Sequence, residues 1–158
     1  MTGFVPSPSA ANTHLRAGIS ALLLLALTSI HHAYGAAILD TPWRLHVLYF
    51  ILPVAALVAM LLSAGWYAPT GRSARLFTWA GAIVVLAVPI ILVGYVEGGY
   101  NHVVKNIAYL IVSGDTFRAI FPNPPYEEPN DLFFEITGIA QFPLSVLATV
   151  MTVRMLRR

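Results

Sequence analysis

Long apolar runs alternate with short polar breaks along this chain, and the breaks carry the residues that start and stop helices. From Arg16 to Leu39 every residue is apolar or small except Ser20, Thr28, Ser29, His31, His32 and Tyr34. At about 1.5 Å of rise per residue, such a run crosses a hydrocarbon core about 30 Å thick. Thr41-Pro42-Trp43-Arg44 has the form of a second start, with Thr41 as N-cap and Pro42 in the first helical position. The run that follows, Trp43 to Tyr67, is bounded by Trp43 and by Trp66-Tyr67, the aromatic pair of belts expected at two membrane interfaces.

A short polar turn, Ala68 to Ser73, leads into a third run from Ala74 to about Glu97, and short turns imply antiparallel neighbours. Beyond Gly98-Gly99, the positions Val103, Val104, Ile107, Ala108, Leu110 and Ile111 keep helical spacing. They predict an interfacial amphipathic helix after the third span, either continuing it or hinged at the glycine pair. Leu132 to Met155 is the fourth run, with Asn130 or Asp131 as its cap. Pro53, Pro89 and Pro143 lie inside three of the runs and are expected to kink them and open room between helices.

Residues 1–13 lack apolar periodicity and are expected to form a disordered lead, with Thr13 capping the first helix. The Pro-rich, acidic segment 113–131 is too polar for lipid and reads as an ordered outer loop or lid. The expectation is an all-α integral membrane protein: four transmembrane helices in an antiparallel bundle, one domain over residues 14–158. A cleaved signal peptide is the rival for the first run, with Arg16 ahead of Ala21 to Ile30 and Ala33-x-Gly35 as the cleavage site. The apolar residues continuing to Leu39 argue against it.

Composition supports the bilayer as partner. Of 158 residues 58% are hydrophobic and 10% charged, against about a quarter charged in soluble domains. A net charge of +2, dispersed along the chain, gives no nucleic-acid footprint. Cysteine is absent, so any metal must be held by imidazole or carboxylate. Arg16, Arg72, Arg75, Arg154, Arg157 and Arg158 fall at one end of the spans and Arg44, Lys105 and Arg118 at the other. The bias places both termini in the cytoplasm, with a bacterial inner membrane as the expected setting.

Chemistry is suggested by depth. His31 and His32, His46, Glu97 and Glu135 all fall near the outer end of their spans, so four helices offer a titratable group to one layer. The candidate metal ligands are therefore His31, His32, His46, Glu97, His102 and Glu135, suited to zinc, iron or manganese. Candidate catalytic groups are Glu97, Glu135 and Lys105, with Tyr100, Asn101 and Gln141 in support. On an α-helix Glu97, Asn101 and Lys105 share a stripe and His102 points away from it, unless the glycine pair distorts the turn. Gln141 and Thr137, four apart, are placed to bond across helices, and Tyr126-Glu127-Glu128 reads as a solvated surface.

Three functions compete on these residues. The first is a membrane metalloenzyme or metal-binding protein. The second is a haem-binding electron carrier using two of His31, His32, His46 and His102 as axial ligands. The third is a noncatalytic accessory, assembly or transport subunit with a structural polar layer, in an oligomer or beside a partner subunit, or binding a small hydrophobic ligand. No phosphate-loop, nucleophile-elbow or dinucleotide signature is present.

Overall fold

The computed structural model describes residues 8–68 and 71–157, and all regular structure within them is helical. Four helices are long and apolar enough to cross a membrane. Helix α1 is Pro8–Ile38, α2 is Pro42–Tyr67, α3 is Arg72–Ile111, and α5 is Leu132–Leu156. A short α4, Gly114–Ile120, lies between α3 and α5. Residues 1–7 of the expected lead fall outside the described residues. Residues 8–13 are already helical, so Thr13 is inside α1 and not its cap.

Local chemistry explains the helix ends. Pro42 opens α2 as one 3₁₀ turn, Pro42–Leu45, before α-helical winding begins at His46. Thr41 does not cap this turn. Its hydroxyl accepts from Arg44 Nε at 2.9 Å instead. Asp131 does cap α5, accepting from the backbone N–H of Phe134 at 2.8 Å. Gly71, at φ +125°, takes the left-handed region that an L side chain resists in the turn before α3.

The third helix departs from expectation in its winding. Of the two expected forms it takes the continuous one: the helix does not hinge at Gly98-Gly99 but runs unbroken past Glu97 to Ile111. Between Leu86 and Val104 it is wound as a π-helix, with hydrogen bonds reaching five residues instead of four. Such winding usually occurs as single-turn bulges, often at functional sites. The buried positions of this stretch follow the wider period: Pro89-Ile90, Val93-Gly94, Gly98-Gly99 and His102. Glycine is needed where this face meets α5. A Cβ on Gly94 would run into the Ser145 side chain, and one on Gly98 would lie 2.7 Å from the Phe142 nitrogen.

Small and branched side chains fill the interior. Ala17, Ala21, Val58, Leu62, Ala82, Val85, Ala148 and Met155 form one buried cluster. Leu24, Leu25, Ile51 and Val93 form the next layer toward the histidines. On α1 the buried positions Ala17, Ala21, Leu24, Thr28 and His31 recur every three or four residues, which is how one helix face delivers His31 to the interior. The opposite faces are apolar and open: Leu52, Met60, Leu76, Ile83 and Leu110 are all at least 60% exposed.

Candidate metal centre

Three helices meet around His31 of α1, Glu97 and His102 of α3, and Glu135 of α5. One ligand atom from each of His31, Glu97 and His102 lies within 4.8 Å of the others. The Nε2 atoms of His31 and His102 are 3.1 Å apart. Oε1 of Glu97 is 3.8 Å from His31 Nε2, 3.7 Å from His102 Nε2 and 3.6 Å from His32 Nε2. Three imidazole nitrogens thus converge on one carboxylate oxygen. For metal–ligand bonds of about 2.0 to 2.2 Å, the ligands of a tetrahedral ion are about 3.3 to 3.6 Å apart, so these separations fit after shifts of a few tenths of an ångström.

The far side of each ring is fixed by the protein. Nδ1 of His102 is 3.1 Å from Glu135 Oε2, and a carboxylate can only accept. Nδ1 of His31 is 3.0 Å from Thr137 Oγ1, whose own proton is directed to the carbonyl oxygens of Phe133 and Phe134 at 2.8 and 3.0 Å. Thr137 therefore accepts as well. With Thr137 accepting, both rings carry their proton on Nδ1 and the two Nε2 atoms face each other across 3.1 Å. A cation, either a proton or a metal ion, relieves the lone-pair repulsion of that tautomer pair. A carboxylate or oxygen acceptor behind each ring is also the arrangement that orients metal-binding histidines.

Glu135 is the hub of the surrounding network. It accepts from Asn106 Nδ2 at 2.7 Å and from Lys105 Nζ at 3.2 Å, and Lys105 also donates to the Glu127 carbonyl at 2.9 Å. Asn101 donates to Glu97 Oε2 at 2.7 Å, the expected bond four residues apart. A cavity of about 140 Å³ adjoins the centre, lined by His32, Arg44, Glu97, His102, Lys105 and Tyr126 among others. The segment Pro125 to Glu127 covers it, held by Arg44, which donates to the Pro125 carbonyl at 3.3 Å and pairs with the Glu127 carboxylate at 3.7 Å. Burial raises the pKa of the Tyr126 phenol, aided by the nearby Tyr100 and Glu97, so it remains a neutral donor.

Several candidates fall elsewhere. His46 is exposed, hydrogen bonds the Trp43 carbonyl and stacks on that indole, so it does not join the centre. Lys105 joins Glu135 and the loop rather than Glu97. Tyr100 is exposed and its ring lies against Phe121, 5.5 Å between centroids, supporting the covering loop. Gln141 is fully buried below the cluster and neither amide atom has a hydrogen-bond partner among the described residues. Glu127 is not a solvated surface residue but half of the Arg44 clamp.

Arg44, Asn106 and Glu127 were not among the site residues expected from sequence. One signal points to them. The three cations of this end, Arg44, Lys105 and Arg118, each pair with an acid: Glu127, Glu135, and Asp115 with Glu128. No protein-family model, no curated protein and no solved structure matches the chain.

Proposed function

We propose that the chain is a membrane-embedded metal-binding protein. His31, His102 and Glu97 hold one first-row divalent ion. Imidazole and carboxylate donors suit zinc, iron or manganese. The observation that carries this reading is the pair of Nε2 lone pairs facing each other at 3.1 Å, with the Glu97 carboxylate within 3.8 Å of both. Insertion is supported by the four apolar helices and their exposed leucine and isoleucine faces, which water would not tolerate over such an area. The four spans alternate in direction, and the arginine bias puts both termini in the cytoplasm and the metal centre on the outer side.

Buried charge in a bilayer is expected to be paired and to mark a functional path. Here the pairing is complete around Glu135, while Glu97 keeps 21% of its side chain accessible on the cavity side. Glu135 and Thr137 orient the two ligand rings, and Lys105 neutralises Glu135. The cavity beside Glu97 admits a ligand of about six heavy atoms, judged from the 150 Å³ cavity that holds benzene. Metal-assisted chemistry on a small polar molecule is the enzyme form of this reading, with Glu97 and Lys105 as the groups nearest the substrate.

A bis-histidine haem fits less well. Two axial imidazoles would stand about 4 Å apart, twice a metal–nitrogen bond, with a macrocycle between them. His31 and His102 are in direct contact, and His46 is turned away.

Elemental analysis of detergent-purified protein tests the proposal, together with cobalt(II) titration of chelator-stripped protein. One metal per chain and a tetrahedral cobalt spectrum, both lost in His31→Ala and His102→Ala, are expected. Protein that binds neither its own metal nor cobalt while keeping its helical content overturns it. The histidine pair would then share only a proton, as in the noncatalytic structural reading.

A further inference from the structure

Charge at the end of the bundle away from the histidines has one sign. The seven acidic residues, Asp40, Glu97, Asp115, Glu127, Glu128, Asp131 and Glu135, all lie in the layer of the metal centre or beyond it. Arg16 on α1 is 15 positions before His31, about 22 Å along a helix, and Arg154 on α5 is still farther from Glu135. There, Arg16, Arg154 and Arg157 line one cavity of about 410 Å³ together with Thr13 and Met151. No ion pair involves these three arginines among the described residues, and no Asp or Glu side chain lies at that end.

Three exposed guanidinium groups around one cavity make a region of positive potential that favours an anion from outside the chain. Guanidinium is a planar fork of donors that matches phosphate in two parallel hydrogen bonds. We propose that this cavity binds a phosphate group, the chemistry shared by phospholipid headgroups and free phosphate, and that its occupant is the headgroup of an anionic phospholipid. The cavity is at the helix ends, where a headgroup layer falls, and basic pockets between helices on the cytoplasmic side suit such lipids. Exposed Ile19, Leu147 and Val150, one or two turns farther along α1 and α5, give the acyl chains an apolar surface. This inference rests on the membrane reading and is independent of the metal.

The test uses the full chain in nanodiscs of phosphatidylcholine with or without phosphatidylglycerol, followed by native mass spectrometry and thermal unfolding. One phosphatidylglycerol retained per chain is expected, with affinity falling about five-fold for each arginine replaced by glutamine, at about 1 kcal/mol per basic residue and ten-fold per 1.4 kcal/mol. Arg16→Lys, Arg154→Lys and Arg157→Lys together should retain part of the binding. Helical content and the thermal unfolding transition of the variants report whether the bundle has folded. Equal retention of both lipids, or undiminished phosphatidylglycerol in the folded triple glutamine variant, overturns the site. A stabilisation by inorganic phosphate matching that by the lipid overturns the headgroup assignment. A chain that does not enter nanodiscs at all removes the membrane reading beneath it.

Discussion

Glu97 and His102 stand five residues apart on α3 and face the same point, 3.7 Å from carboxylate oxygen to imidazole nitrogen. On an α-helix this spacing turns two side chains well apart, but the wider turn of π winding brings residues five positions apart back toward one face. The local winding of the backbone, more than either side chain, is what brings these two groups together.

Glu135→Gln is expected to weaken metal binding about 10- to 100-fold, the usual effect of removing a carboxylate behind a ligand histidine. Competition titration against a chromophoric chelator measures it. An unchanged affinity would mean that Glu135 serves only Lys105.

Gly138→Ala should both destabilise the protein and weaken metal binding, because the new Cβ would overlap the His102 ring. An overpacked interior site costs about 1 to 3 kcal/mol. Thermal unfolding reads the loss, and Ile139→Ala, on the exposed neighbouring face, should leave metal affinity unchanged.

Lys105→Met leaves Glu135 as an unpaired buried charge and should cost about 3 to 5 kcal/mol. Adding Glu135→Met removes that charge and should recover much of the stability, yet metal affinity should stay low because His102 has lost its acceptor. A double variant that recovers both would separate Glu135 from the metal centre.

Acid should weaken metal binding. With Thr137 accepting from His31, the metal-free His31–His102 pair holds one proton between its Nε2 atoms, and the metal displaces it. Affinity should rise about ten-fold per unit of pH while that single proton is being displaced. Calorimetry in buffers of different ionisation enthalpy counts the proton released; a count of zero removes the shared-proton account.

The four apolar helices are legible in the sequence because hydrophobic run length needs no tertiary information. Depth is legible too, since residue count from a polar break fixes it, and His31, Glu97, His102 and Glu135 do share a layer. Direction around the helix axis is not fixed by depth. His46 has the right depth and faces outward, because the 3₁₀ turn Pro42–Leu45 and the Trp43 carbonyl set its ring. A period of 3.6 sets His102 off the Glu97 stripe unless the glycine pair distorts the turn, and across that pair the chain follows a longer period. Glu127 carries no periodic signal at all, being in a loop, and only the matching of the cations at that end with acids hints at its partner.

A helix whose pitch changes partway along makes residue number a functional quantity. Substitutions on the exposed side of Leu86–Val104 alter surface, but a single deletion there would shorten the wide-pitch stretch and rotate His102, Lys105 and Asn106 away from their partners. Across this stretch the spacing of the chain is under tighter constraint than most of its side chains.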